Sequence, residues 1–277
     1  KMTIITNDPA KRYYYTLLFG DKYRVKIATR NVNIPGIQNF RDLGGYPSYS
    51  TKKQVRWGMI YRSAEIDSLE CYSRRELRNL GIKTLIDLRA SSETGRQSPL
   101  QKEFNVVHIP LATGDMENIL KGIREEKIKS DTVYRMVEQM NRDLIDKYTT
   151  EYRQIFDILL DKNSYPVVIH CSSGKGRTGI VSALVLAALG INEDIIMEDY
   201  RLSNDYFNIP SASKDAYQLP ARSQEAITTL FSAREDFLNA AKEEAERRYG
   251  DIDSYLQKGI GLNKDEIKRL RSILLSD

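Results

Sequence analysis

Apolar and polar positions divide the chain into short strand-like runs separated by helical stretches. Tyr13 to Ile27 is rich in Tyr, Phe and Val, alternates irregularly, and predicts a β-hairpin turning at Gly20-Asp21. Pro35-Gly36 and Gly44-Gly45 frame the next segment, and such glycines suit a tight turn or a close backbone approach. Ser73-x-x-Glu76 has the form of a capping box and predicts a short helix with Leu77 and Leu80 on its apolar face and Gly81 at its end. Thr84 to Leu88 reads as a buried strand, and Val106 to Ile109 as another that Pro110 terminates. Helical spacing then appears at Val133, Met136, Val137 and Met140, and again at Tyr148, Tyr152, Ile155, Phe156 and Leu159. Val167 to His170 has the pattern of a central strand, followed by an almost wholly apolar helix from Thr178 that ends at Gly190. Arg222 to Tyr249 predicts one long charged amphipathic helix, and Asn263 with Glu266 three residues on caps a last one.

Strands alternating with helices predict an α/β fold, with a central, mainly parallel sheet flanked by helices. The expected division is a hairpin extension over residues 1–30 and one domain over 31–277, with a helical insertion at about 115–163. The aromatic and Met residues of that insertion serve either a core or a lid over the pocket. With 277 residues, 41% of them hydrophobic, the chain can bury one substantial core. The net charge of +4, from 42 basic and 38 acidic residues, is too balanced to argue for nucleic-acid binding. No apolar run is long enough to predict an integral membrane segment. Cys71 and Cys171 give no disulfide framework, so Cys71 reads as a passive thiol, with a Cys71–Cys171 redox bridge as the lesser alternative. The opening Lys1-Met2 is expected of a chain cut upstream, a lost signal peptide being one explanation. Both a cytoplasmic and an exported location therefore stay open, as does the oligomeric state.

The chemistry concentrates at His170-Cys171-Ser172-Ser173-Gly174-Lys175-Gly176-Arg177-Thr178-Gly179, between a strand and a helix. This is a Cys-x5-Arg phosphate-binding loop. Backbone N–H groups of Ser172, Ser173, Gly174, Lys175 and Gly176, with the positive end of a helix dipole, would converge on one phosphate. The same field favours thiolate over thiol at Cys171, within the range of about 3.5–7.5 seen for activated cysteines, and makes it a nucleophile. Arg177 would hold two phosphate oxygens with its planar fork. Thr178 can offer its hydroxyl to the sulfur as the thiolate departs.

At these residues the chain resembles the cysteine-dependent protein tyrosine phosphatase superfamily. It is similar in particular to the atypical bacterial branch that includes secreted tyrosine and dual- or triple-specificity phosphatases of intracellular pathogens. The further marks are Asn39-Phe40-Arg41-Asp42-Leu43-Gly44-Gly45-Tyr46, Ile60-Tyr61-Arg62-Ser63, Ile86-Asp87-Leu88-Arg89 and Asp199-Tyr200-Arg201-Leu202-Ser203-Asn204. The resemblance spans about residues 31–277 and implies a tyrosine phosphatase-like fold. It implies hydrolysis of phosphotyrosine, with phosphoserine, phosphothreonine or phosphoinositide monoesters as further substrates, through a phosphocysteine and with no metal or cofactor. It also places His170 behind the nucleophile, ordering the loop.

One departure stands out. Relatives in this branch often carry Asp at the position of Gly176, and their proposed general acid falls at Thr113, which cannot protonate a leaving phenolate usefully near neutral pH. Asp115 is the first choice of acid in its place. Asp87 is the second, against a reading as a strand-end carboxylate paired with Arg89. Lys175 adds a point charge that a phosphorylated inositol ring could use, although a loop lysine also occurs in phosphotyrosine-directed relatives. Arg41, Arg62, Arg89 and Arg201 are candidate rim cations, each alternatively a structural ion pair. His108 reads as a satisfied core histidine. The alternative function is a catalytically weak or silent phosphate-binding module, which the Thr113 departure favours and the intact Cys171 opposes. A rhodanese-type sulfurtransferase fits the Arg-Thr-Gly sequence poorly.

Overall fold

The computed structural model describes residues 3–6, 11–67, 69–94 and 99–276. Strands β1 (Tyr14–Phe19) and β2 (Tyr23–Ala28) form the expected hairpin, with Gly20 at φ 61° in its turn. They make a sheet of their own rather than an addition to the central one. Arg12 fastens the stem by donating to Asp42 and to the Tyr61 hydroxyl at 2.6 and 2.7 Å. Next come β3 (Arg41–Asp42), β4 (Pro47–Ser48), β5 (Lys53–Val55), β6 (Ile60–Ser63), α1 (Cys71–Asn79), β7 (Thr84–Asp87) and β8 (Asn105–His108). Helices α2 (Met116–Arg124), α3 (Ser130–Lys147) and α4 (Thr149–Leu159) precede β9 (Val167–His170) and α5 (Gly176–Ala188). The remainder is α6 (Glu193–Arg201), α7 (Ser203–Tyr206), α8 (Ile209–Ala212), α9 (Ala221–Phe231), α10 (Glu235–Tyr249), α11 (Ile252–Ser254), α12 (Lys264–Leu274) and β10 (Leu275–Ser276).

The central sheet runs β3-β6-β9-β7-β8, parallel throughout except that β3 pairs antiparallel to β6. Strand alternation sends side chains to two cores. Ile60, Ile86, Val167 and Ile169 face the larger core, built with Val133, Phe156, Ile180, Ile196, Phe237 and Leu270 of the surrounding helices. Tyr61, Leu85 and Val168 face the smaller one, closed by Ile34, Phe40 and Leu77. A parallel sheet covered on both faces explains why Val167-Val168-Ile169 is a continuous apolar run. β9 lies at the centre, and its register sets His170 beside both Asp87 and Ser63.

Two expectations need adjustment. Helix α1 begins at Cys71, so Ser73 lies inside it and donates its hydroxyl to the Pro35 carbonyl at 2.6 Å instead of capping. The single helix expected over 222–249 is two, because Asn204 takes the backbone of Ala233 at both ends, N–H at 2.7 Å and C=O at 2.9 Å, and draws it out of the helical ladder. Within the insertion, Val133, Tyr152, Ile155, Phe156 and Leu159 are buried in the larger core, the first of the two roles considered for them. The Asn263–Glu266 capping box forms as read. Among the described residues no helix is long and apolar enough to cross a membrane.

Gly44 and Gly45 make the close approach expected of them: a Cβ on Gly45 would lie 2.1 Å from the Trp57 ring, and Gly45 sits at φ 80°. Gly45→Ala therefore combines left-handed strain with overlap. Denaturant unfolding should show a loss of roughly 2–4 kcal/mol; a variant as stable as the parent would contradict this packing.

Candidate active site

The phosphate loop leaves β9 at His170 and enters α5 at Gly176, as the strand–loop–helix pattern predicted. Its outer side is fully engaged. Glu65 N–H donates to the Ser172 carbonyl at 3.2 Å, and Asn39 Nδ2 to the Ser173 and Gly174 carbonyls at 3.1 and 3.2 Å. Arg62 Nη2 donates to the Gly174 carbonyl at 2.7 Å. In a planar trans peptide the C=O of one residue and the N–H of the next point in opposite directions. Three outward carbonyls thus turn the amides of Ser173, Gly174 and Lys175 inward, toward the first-turn amides of α5. Gly174 is obligatory here, with φ 67° and an added Cβ only 2.4 Å from the Ser63 carbonyl.

Behind the loop lies a buried ionic cluster built from the segments 39–46, 60–63 and 199–204. Asp199 accepts from Arg62 Nη1 at 2.7 Å, from the Tyr46 hydroxyl at 2.8 Å and from Arg41 Nε at 3.5 Å. Arg41 also donates to the Asn39 side-chain oxygen and to the Asp199 carbonyl, the latter at 2.8 Å. Burial pushes the Asp199 pKa up, but the two guanidinium groups and the Tyr46 hydroxyl outweigh it and hold the carboxyl ionised. Burial and the neighbouring Arg62 draw Arg41 down to about 10. Arg41 is 0% exposed, so it is no rim cation: it orients Asn39 and, with it, the loop. Arg62 and Arg89 are likewise buried, while Arg201 is exposed. Gly179 permits Tyr200 to pack on α5, where a Cβ would stand 2.8 Å from its ring.

Inside the loop, Cys171 is buried and Arg177 lies beside it; burial acts against the Arg177 charge, but the hydrogen bond to Glu93 and the proximity of Cys171 raise its pKa overall. Both Nη atoms of Arg177 are held by the carboxylate of Glu93, one at 2.7 Å. Nη1 also donates to the Leu111 carbonyl at 3.2 Å and Nη2 to Ser172 Oγ at 3.1 Å. Burial would raise the Glu93 pKa; hydrogen bonds from Arg177 and Ser172 overcome it and bring the group to about 2. Glu93 was not among the expected site residues. Its signal was its place just past the C-terminal end of β7, next to β9, where loops line the sites of parallel sheets.

The remaining candidates separate. Lys175 is buried and turned away from the loop interior, donating to the Leu230 and Ser232 carbonyls at 2.5 and 3.0 Å at the end of α9. Desolvation lowers its pKa to about 7, against the pull of Cys171. Gly176 has open space where a side chain would begin. Thr178 Oγ1 is buried and takes no protein partner, which leaves it available to the sulfur. Asp87 is the carboxylate of a fork with Arg89 at 2.9–3.3 Å; Arg89 and the nearby His170 hold it below its usual pKa although burial acts the other way. Asp115 is exposed and caps α2, accepting from Asn118 N–H at 3.0 Å. His108 is exposed, not core, with Nε2 2.6 Å from the Arg89 carbonyl. Cys71 is an exposed free thiol, as read.

His170 is buried with Nδ1 3.9 Å from Asp87 Oδ1 and no hydrogen-bond partner on that atom. Desolvation lowers its pKa to about 4, beyond what Asp87 restores. The unfolded chain protonates His170 near its ordinary value of about 6.5 and the folded chain only near 4, so stability is lost as pH falls through that window. Thermal melting of the wild type should fall between pH 6.5 and 4 with a steepest slope of about 1.4 kcal/mol per pH unit from this group, and His170→Gln should flatten the curve. Identical profiles would contradict a buried neutral imidazole.

Comparison with known proteins agrees with this geometry. The sequence model described as "Tyrosine phosphatase family" matches residues 32–276. Over 285 residues the chain is 30% identical to the triple specificity protein phosphatase PtpB of Mycobacterium tuberculosis, covering 87% of this chain and 98% of that one. It is 25% identical over 238 residues to a putative tyrosine-protein phosphatase of Cupriavidus necator, covering 84% and 85% of the two chains. The crystal structure of Pseudomonas aeruginosa TpbA overlays with a TM-score of only 0.32 at 15% identity, over 64% of this chain and 89% of that one. The phosphate loop, its bracing motifs and the match over nearly the whole chain place this protein in the tyrosine phosphatase family.

Proposed function

We propose that the protein hydrolyses phosphomonoesters, phosphotyrosine foremost and phosphoserine or phosphothreonine also, through a phosphocysteine intermediate. The observation that supports this best is the loop with its carbonyls bound outward around a buried Cys171 and beside Arg177. In this reading the Cys171 thiolate attacks phosphorus in line while the loop amides and Arg177 stabilise the equatorial oxygens. The phosphocysteine is then cleaved by water, with Thr178 assisting the departing sulfur. Asp115 is the better placed of the two candidate acids. It is exposed at the end of the loop that touches Arg177 through Leu111, whereas Asp87 is committed to Arg89.

The surroundings favour a phosphoprotein over a polyphosphoinositide. Lys175, the cation that could have served an inositol phosphate, spends its ammonium on two carbonyls. Beside the loop, Glu65 is exposed and Asp67 half-buried, and burial together with Asp67 and Glu93 raises the Glu65 pKa despite Arg89. Such a border repels extra phosphates.

Phosphate release in EDTA should be seen with phosphotyrosine peptides and should drop at least about a thousandfold in Cys171→Ser. Activity that survives that substitution would refute the mechanism, and oxyanion binding without turnover would favour the silent binding module. Phosphopeptides should outrank phosphoinositides in kcat/KM; the reverse order would return Lys175 to the binding site. Asp115→Asn should lower turnover of poor leaving groups by roughly a hundredfold and of activated aryl phosphates much less. Equal losses on both would point to Asp87.

A further inference from the structure

Away from the phosphate loop, α6 and α10 run antiparallel beside the C-terminal half of α5. Glu193, at the start of α6, pairs with Lys242, late in α10, at 2.6 Å, while Arg201 and Glu235 share the other end. The seam between the two helices does not close. At its Glu193 end is a hollow of about 400 Å³, floored by Ile180 and Leu184 of α5 and Ile191 just beyond it, with Ile196 and Leu238 from the walls. These five side chains belong to the larger core, and Ala183, Ala187 and Gly190 around them are too small to fill the space. A second hollow of about 890 Å³ continues along the seam and shares Glu193, Met197 and Asn239 with the first.

The apolar floor has a rim of one sign. Among the described residues, eight carboxylates and two cations line the two hollows, in a chain whose net charge is +4. One of those cations, Lys242, is already neutralised by Glu193 and Glu246 at 2.6 and 3.7 Å. Asp194, Glu198, Asp205 and Glu235 are exposed along the second hollow, and Asp251 and Asp253 border the first.

We propose that the α6–α10 seam docks an amphipathic, cationic helix of a partner protein, its apolar face over Ile180, Leu184 and Ile196 and its Lys or Arg residues against the acidic rim. Glu235 and Glu246 are eleven residues apart on α10, so the seam is about 16 Å long, about three turns of a docked helix. Over that length an amphipathic helix presents anchors at i, i+3 or i+4, and i+7, the spacing that a hydrophobic groove accepts. The rim selects among apolar occupants. A fatty acid or an anionic bilayer meets repulsion from the carboxylates, whereas a cationic helix meets attraction at every turn. Because the seam borders the end of α5 remote from the phosphate loop, the docked partner leaves the loop free to work.

Binding is read by fluorescence anisotropy with three short labelled peptides: a Leu/Lys amphipathic helix, the same pattern with Glu for Lys, and a Leu/Lys scramble without an apolar face. The Leu/Lys helix should bind at least about tenfold more tightly than either of the others, and more weakly as salt is raised. Ala187→Trp, which fills the first hollow, and the double variant Glu198→Lys/Asp205→Lys, which reverses part of the rim, should each weaken it about tenfold. Their kcat/KM on an aryl phosphate should stay at the wild-type value; should the tryptophan variant not fold, the surface double variant carries the comparison. The proposal is overturned if the scramble or the Glu peptide binds as tightly as the Leu/Lys helix, if neither variant changes the binding, or if no peptide binds. A wild type that self-associates, and ceases to do so in Glu198→Lys/Asp205→Lys, makes the occupant a second copy of this chain and overturns it as well.

Discussion

The outward commitment of three loop carbonyls governs what this protein can do. Left to itself, a short segment between strand and helix would present carbonyl and amide groups in either sense, and a single flipped peptide would aim an oxygen at the phosphate. Asn39, Arg62 and the Glu65 amide prevent this by binding the Ser172, Ser173 and Gly174 oxygens from behind. Those donors are themselves fixed. Arg62 is tied to Asp199, and Asn39, at φ 56° in the left-handed region, is tied to Arg41. Removing one member of so buried an ion cluster typically costs about 3–5 kcal/mol, so the motifs around it behave as one unit.

The electrostatics follow from the same cluster. Two buried guanidinium groups against one carboxylate leave an excess positive charge behind the loop, to which α5 adds the positive end of its dipole. In front stand Cys171 and Arg177, the latter anchored by Glu93. A net charge of +4 spread over the whole chain gives no hint of this focus. What matters is which charges are desolvated and where they point. Lys175 shows the distinction well. It sits in the middle of the loop sequence, yet its ammonium fastens the loop to the end of α9.

Much of this was legible in the residues. Apolar runs and their periods revealed the hairpin, β7, β8, β9 and α5, because each is specified by local pattern and by burial on one or both faces. The loop from Cys171 to Arg177, set between a strand and a helix, was readable because a phosphate-binding loop needs those residue types at that spacing. What was hidden depended on tertiary partners. Arg41 reads as a potential rim cation until Asp199, distant in sequence, is seen to bury it. Ser73 reads as a cap until the Pro35 carbonyl claims its hydroxyl, and the 222–249 helix reads as continuous until Asn204 interrupts it. Glu93 carried no motif of its own, only its place after β7; the adjacency of β7 and β9 brings it to Arg177.

The most direct test of this account is a crystal structure of the protein with tungstate. The oxyanion should lie over Cys171 Sγ, accepting from the amides of Ser173, Gly174 and Lys175 and from Arg177, with the Ser172, Ser173 and Gly174 carbonyls still bound to Glu65 N–H, Asn39 and Arg62. A tungstate elsewhere, or a loop whose carbonyls turn inward in its presence, would contradict the claim that the buried motif cluster sets the phosphate site.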